Sequence, residues 1–151
     1  MRTCTSKCKM NTDNNLLRFL EAQQNIYPQV VKELQSGKKA THWMWFIFPQ
    51  IEGLGHSSTA KYYSIKTIGE ATEYLMHPIL GKRLLECTDI IAGIENKTAD
   101  EIFGYPDTMK LRSCMTLFNF IAPDQKVFAA VLKKYFNSKE DEQTLSILKN
   151  A

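Results

Sequence analysis

One apolar stripe constrains the fold of this chain more than any other feature of its sequence. Its members follow one another in steps of four, three, four and three residues: Leu80, Leu84, Cys87, Ile91 and Ile94. This spacing places side chains on one face of an α-helix, because a helix has about 3.6 residues per turn. The pattern predicts a helix from about Pro78 to Ile94 that buries one face.

Comparable apolar spacing predicts further helices along the chain. Two short ones precede Gly37, and three others are expected over residues 107–120, 124–136 and 141–149. Thr67 and Thr98 each have a glutamate three residues later, which is the capping-box pattern of a helix start. Alternating strand patterns are nearly absent, and no internal repeat is visible. The sequence therefore predicts an all-α fold, a compact single domain of about seven or eight short helices.

Length and composition favour one folded domain. The chain has 151 residues, of which 44% are apolar and 23% charged, as in ordinary globular proteins. Residues 1–13 are polar, so we expect a disordered leader there and a helical domain over residues 14–151. The leader lacks the apolar region of a secretory signal. The longest apolar run, residues 43–48, is far shorter than the roughly 20 residues of a membrane span. These features predict a cytoplasmic protein.

Charge and cysteine content argue against several classes of function. The net charge is +3 and the pI about 8.6, below the value of about 9 or more that is typical of nucleic-acid-binding domains. Cys87 and Cys114 fall on apolar helix faces, and Cys4 and Cys8 have no histidine nearby. The usual phosphate-loop, dinucleotide, zinc and hydrolase motifs are missing. The sequence calls for no metal and no redox cofactor, and it does not favour nucleic acid as a partner.

The segment from His42 to Gln50 is the most unusual part of the chain. It contains two tryptophans and two phenylalanines within a few residues. We expect a buried helical turn that ends before Pro49, because the residue before a proline avoids the helical region. The aromatic side chains can simply be core, or Trp43 and Trp45 can form the wall of a ligand site. Backbone N–H groups of the glycine loop that follows, with Gly53 and Gly55, can hold an anion.

A second candidate lies on the helix predicted over residues 107–120. Lys110 and Ser113 are one turn apart on one face, while Arg112 points in another direction. A role in ligand binding and a surface role remain open, the latter including an ion pair between Lys110 and Asp107. Glu86 is a candidate carboxylate, although its spacing from Asp89 also fits a polar helix surface.

Several motifs in order resemble a small bacterial family, the domain of unknown function 1810. They are the segment from His42 to Gln50, the glycine loop, residues 77–84 and residues 110–118. The resemblance covers about residues 15–148 and implies a compact, mostly helical fold without an established activity. Members are often labelled calpastatin. True calpastatins are long disordered inhibitors, whereas this chain has the apolar content of a folded domain.

A looser resemblance to the NADAR family implies chemistry on ADP-ribose derivatives and N-glycosidic bonds. Such chemistry needs a phosphate grip, an aromatic wall and a carboxylate. The resemblance implies Lys110 or Arg112 as the phosphate-binding group. It implies Trp43 or Trp45 as the aromatic wall and Glu86 as the carboxylate.

Two hypotheses follow. The first is a pocket between the segment from His42 to Gln50 and the Lys110 helix, which binds a phosphorylated or nucleotide-like small molecule. In an extended form of this hypothesis the pocket also hydrolyses that molecule. In this hypothesis Glu86 and Lys110 are catalytic. The ligand-binding residues are His42, Trp43, Trp45, Gln50, Gly53, Gly55, Lys110, Arg112 and Ser113. The second is a protein-interaction module without catalysis that uses an aromatic patch.

Overall fold

Helices form the regular structure of residues 16–151, the part of the chain that this computed structural model describes. In chain order they are α1 (16–23), α2 (Tyr27–Ser36), α3 (Met44–Ile47), α4 (Ser58–Tyr62), α5 (Ile68–Met76), α6 (Leu80–Ala92), α7 (Ala99–Phe103), α8 (Asp107–Ile121), α9 (Lys126–Phe136) and α10 (Glu142–Lys149). The predicted all-α class is confirmed. There are ten helices in this region instead of seven or eight, because α3, α4 and α7 are single turns of four or five residues.

The two longest helices organise the core. The predicted stripe forms α6, and its members Leu80, Leu84, Cys87 and Ile91 are buried. This helix packs against α2, α5 and α9, while α8 packs against α5, α7, α9 and α10. One connected apolar cluster links these helices. Helices α5 and α9 pack against both α6 and α8 and so connect them.

The helix ends confirm most of the capping patterns. Thr98 and Glu101 form a complete capping box at α7. At α5 the Thr67 hydroxyl accepts from the Glu70 N–H, but the Glu70 carboxylate binds Arg18 at 3.0 Å instead of closing the box. The ion pair with α1 thus takes the place of half of the predicted box.

The turn between α5 and α6 brings two backbones very close together. A Cβ built on Gly81 would lie 1.8 Å from the Leu75 carbonyl oxygen. No side chain fits at this crossing, so the position requires glycine.

A loop joins α3 to α5 and is closed at its base. Ile51 and Ile65 form an isolated parallel bridge. The Glu52 N–H donates to the Ile65 carbonyl at 2.8 Å, and the Ile65 N–H donates to the Gln50 carbonyl at 2.9 Å. The loop contains the glycine segment and α4, whose N-cap is Ser57.

The predicted leader, residues 1–13, lies outside the described residues. Within residues 16–151, no helix is long and apolar enough to span a bilayer. Cys87 and Cys114 are buried free thiols, as expected for small apolar side chains. Burial raises the pKa of the Cys87 thiol to about 12.

Candidate functional site

The two tryptophans of the aromatic segment each face a lysine ammonium group. Lys39 Nζ lies 5.1 Å from the centroid of the Trp43 ring, and Lys110 Nζ lies 5.1 Å from that of Trp45. These distances are within the roughly 6 Å range of a cation–π interaction. The aromatic segment and the lysine of α8, which stand far apart in the sequence, therefore meet in space.

Asp107 connects the two lysines. One carboxylate oxygen lies 2.8 Å from Lys39 Nζ and the other lies 3.6 Å from Lys110 Nζ. Asp107 is the first residue of α8, where a negative charge is favoured by the helix dipole. We refer to Lys39, Trp43, Trp45, Asp107 and Lys110 as the tryptophan–lysine cluster.

The buried carboxylate of Glu33 anchors the inner side of the cluster. The Trp43 indole N–H donates to the Glu33 carboxylate at 2.9 Å. The same carboxylate also accepts from the Ala40 N–H, from the Thr41 N–H and hydroxyl and from the Gln29 amide. Burial raises the pKa of Glu33, but these hydrogen bonds outweigh burial and lower the pKa to about 2. Glu33 is therefore ionised at neutral pH and holds both Trp43 and the loop before it.

Burial divides the cluster into an inner and an outer half. Trp43 is 1% exposed, and the Lys39 side chain is 7% exposed. Trp45 is half-buried, and the Lys110 side chain is 22% exposed. Trp45 and Lys110 are therefore partly open to solvent, whereas Trp43 and Lys39 support them from within.

The other predicted residues of the aromatic and glycine segments lie around the loop between α3 and α5. His42 is exposed, and Gln50 is half-buried. A Cβ on Gly55 would lie 2.4 Å from the Ala60 Cβ and 3.6 Å from the Gln50 Nε2 atom, so close packing requires glycine there. Gly53 has a φ of +111°, a backbone conformation that favours glycine. The anion-binding role of this loop stays a prediction.

Arg112 and Ser113 make contacts away from the cluster. Arg112 donates to the Lys139 carbonyl at 2.9 Å and to the Glu140 carbonyl at 3.0 Å, which fixes the chain before α10. The Ser113 hydroxyl donates to the Met109 carbonyl within α8 at 3.1 Å. The structure thus brings Trp43, Trp45 and Lys110 together but directs Arg112 to a different neighbour.

Glu86 lies on α6 and faces α2. Its carboxylate accepts a hydrogen bond of 2.6 Å from the Tyr27 hydroxyl. In the described part of the chain, no hydrogen bond or ion pair joins Glu86 to Lys110. Its proposed catalytic role stays a prediction.

Three residues of the site do not stand out in the sequence. Lys39 belongs to a basic loop without a local pattern that indicates a partner. Asp107 offers only its three-residue spacing from Lys110, which predicts the ion pair of 3.6 Å that the structure contains but not the contact with Lys39. Glu33 offers one signal, because a carboxylate interrupts the apolar stripe between Val30 and Leu34. A charged side chain on a buried helix face must be paired, and here its partners come from the next loop.

No three histidine, cysteine, aspartate or glutamate side chains among residues 16–151 are grouped in a way that could hold a metal ion.

Comparison with known proteins identifies the family. The family described as protein of unknown function (DUF1810) matches residues 13–148. The solved structure of the conserved hypothetical protein Rv1873 from Mycobacterium tuberculosis is similar, with 45% identity and a TM-score of 0.88 over 89% of this chain and 96% of that one. A search of curated proteins finds no match. Neither match names the NADAR family or a nucleotide. The chain belongs to the DUF1810 family.

Proposed function

We propose that the outer half of the tryptophan–lysine cluster binds a phosphorylated small molecule that carries a planar ring, such as a nucleotide or an ADP-ribose derivative. The observation that carries this proposal is the contact between Lys110 and Trp45, at 5.1 Å from ammonium to ring centroid. It pairs a phosphate-binding charge with an aromatic surface, which are the two parts such a ligand requires.

The state of Lys110 supports this role. Its ion pair with Asp107 is the longer of the two that this carboxylate makes, 3.6 Å against 2.8 Å. Lys39 holds Asp107 more closely, which leaves Lys110 the more available of the two ammonium groups. A phosphate oxygen can therefore bind the Lys110 ammonium group while Asp107 stays paired with Lys39.

The proposal covers binding. The carboxylate nearest to Lys110 is Asp107, which already pairs with two lysines, and Glu86 binds Tyr27 instead. Hydrolysis of the ligand is a separate hypothesis, tested by product analysis once a ligand is known.

The test is a thermal-shift and calorimetric screen of AMP, ADP, ADP-ribose, ribose 5-phosphate and inorganic phosphate. A ligand at 100 times its dissociation constant stabilises the folded state by about 2.7 kcal/mol, which is on the order of 5–10 °C for a domain of this size. In Lys110→Ala we expect affinity to fall about 10- to 100-fold, because hydrogen bonds to charged groups contribute about 1.5–3 kcal/mol. Lys110→Arg keeps the charge and should retain part of the binding.

Lys134 provides a matched control. Its ammonium group also lies over an aromatic ring, 5.9 Å from the Tyr135 centroid, and also pairs with a carboxylate, 3.4 Å from Glu95. Lys134→Ala makes the same change in charge elsewhere on the surface. Equal losses in the two variants would show non-specific attraction to a basic protein, and no stabilisation by any member of the screen would contradict the proposal and favour the protein-interaction module.

A further inference from the structure

A cavity lies beside the part of α8 that carries Thr108 and Met109, between α7, α8 and the end of α9. Its volume is about 320 Å³, at the lower end of the roughly 300–1,000 Å³ range of ligand pockets. The side chains that give it its chemistry are Asp100, Tyr105, Thr108, Met109, Tyr135 and Phe136. A cavity of this size suits a small ligand.

Three of the eight lining residues are aromatic. Tyr105 is 82% exposed, and Tyr135 and Phe136 are half-buried at the end of α9. The Tyr135 hydroxyl donates to the Ile91 carbonyl at 2.6 Å, which fixes its ring relative to α6. Lys134 Nζ lies 5.9 Å from the Tyr135 ring centroid, so this ring already makes one cation–π contact within the protein. Three aromatic rings around one cavity attract positive charge through their electron-rich faces.

A carboxylate completes the lining. One Asp100 oxygen accepts from the Thr108 hydroxyl at 2.7 Å, and this contact holds the carboxylate at the cavity. Among the described residues that line this cavity, none is basic. The described lining therefore combines aromatic rings with a carboxylate and has no basic side chain.

We infer that this cavity binds a small organic cation of the quaternary or methylated ammonium class. A methylated ammonium group suits it because such cations pair with aromatic rings and a nearby carboxylate. This site is separate from the tryptophan–lysine cluster. The inference that it binds a cation therefore does not depend on whether the cluster binds a phosphorylated ligand.

The experiment is an NMR titration of the whole protein with choline chloride, with sodium chloride at the same ionic strength as the reference. We expect saturable shifts of the backbone amides of Tyr105, Thr108 and Met109. The neutral isostere 3,3-dimethyl-1-butanol has the same shape without the charge, and it should bind several-fold more weakly. No saturable shift by about 50 mM choline, fifty times a dissociation constant of about 1 mM, would overturn the inference.

Two variants test the two parts of the lining. Tyr105→Leu should weaken choline binding about 3- to 10-fold, whereas Tyr105→Phe should stay within about twofold, because only the ring is needed for a cation–π contact. Asp100→Asn keeps an acceptor for Thr108 but removes the charge, and it should weaken choline binding at least about threefold without changing binding of the neutral isostere. Equal affinities of choline and the isostere, or unchanged choline affinity in both Tyr105→Leu and Asp100→Asn, would contradict the inference.

Discussion

The indole N–H of Trp43 donates a hydrogen bond of 2.9 Å to the carboxylate of Glu33. This contact joins α2 to the start of α3 in the interior, where Glu33 is 4% exposed and Trp43 is 1% exposed. The same carboxylate accepts from the main chain of Ala40 and Thr41. One ionised group therefore fixes the loop that carries Lys39 into the tryptophan–lysine cluster.

Replacing this carboxylate with an amide should destabilise the protein. In Glu33→Gln one oxygen is lost as an acceptor and an NH₂ group meets N–H donors, so we expect the free energy of unfolding in urea to fall by about 2–4 kcal/mol. Gln29→Ala removes a single donor to Glu33 and should cost only about 1 kcal/mol. A Glu33→Gln variant as stable as the natural chain would show that the hydrogen bonds do not matter.

The low pKa of Glu33 also predicts a loss of stability in acid. The pKa is about 2 in the folded protein against an ordinary value of 4.5. A lowered pKa means that the folded state binds the proton less readily, so this stabilisation is complete above about pH 4.5 and is lost as the pH falls toward 2. We expect a loss of about 2–3 kcal/mol over this window. Urea unfolding as a function of pH measures it, and the corresponding slope should be reduced in Glu33→Gln.

Gly81 and Gly69 should respond in opposite ways to alanine. A Cβ at Gly81 meets the Leu75 carbonyl at 1.8 Å, whereas the nearest atom to one at Gly69 is 3.7 Å away. Gly81→Ala must separate α5 from α6, and we expect a cost of about 3 kcal/mol or more. Gly69→Ala should stabilise the protein by about 0.4–1 kcal/mol, because it restricts the unfolded chain. Thermal unfolding of the two variants compares them, and equal effects would contradict the close approach.

The two buried thiols should be unreactive in the folded protein. Burial raises the pKa of Cys87 to about 12 and also raises that of Cys114, and a protonated thiol is a poor nucleophile. In a Cys4→Ser, Cys8→Ser variant we expect no labelling by Ellman's reagent in buffer and two equivalents after unfolding. Rapid labelling in buffer would mean that α6 or α8 opens locally.

Arg112 should contribute to stability more than to ligand binding. Arg112→Ala removes two hydrogen bonds to the main chain before α10, and we expect a loss of about 1–3 kcal/mol in urea unfolding. Arg112→Lys should not restore it fully, because an ammonium group lacks the forked geometry of the guanidinium. Affinity for a phosphorylated ligand should change less than about threefold. A larger loss of affinity with unchanged stability would mean that Arg112 contacts the ligand.

The sequence predicts the long amphipathic helices well and the site only in part. The predicted ranges of α6, α8 and α9 agree with the structure to within about two residues, because each carries a continuous apolar stripe that must be buried. The single turn after Trp43 was also predicted, from Pro49. These elements depend on local patterns.

The parts that sequence reasoning missed depend on contacts between distant segments. Nothing near Lys39 indicates that its partner is Asp107, because their pairing follows from how α7 and α8 pack; the Lys39 N–H donates to the Ile102 carbonyl at 2.8 Å. Arg112 is a different case, because the helical spacing predicts from the sequence that it points away from Lys110. A helix sends residues two positions apart in different directions, and the structure gives them different neighbours.

The bridge between Ile51 and Ile65 has a consequence for how the family can diversify. Because two hydrogen bonds tie the base of this loop, a change in its length alters the loop and leaves α3 and α5 in place. Each doubling of loop length costs only about 0.6 kcal/mol in closure entropy. Insertions next to the exposed His56 would therefore be inexpensive for the fold, and relatives have room to differ there in sequence and length beside an unchanged helical frame.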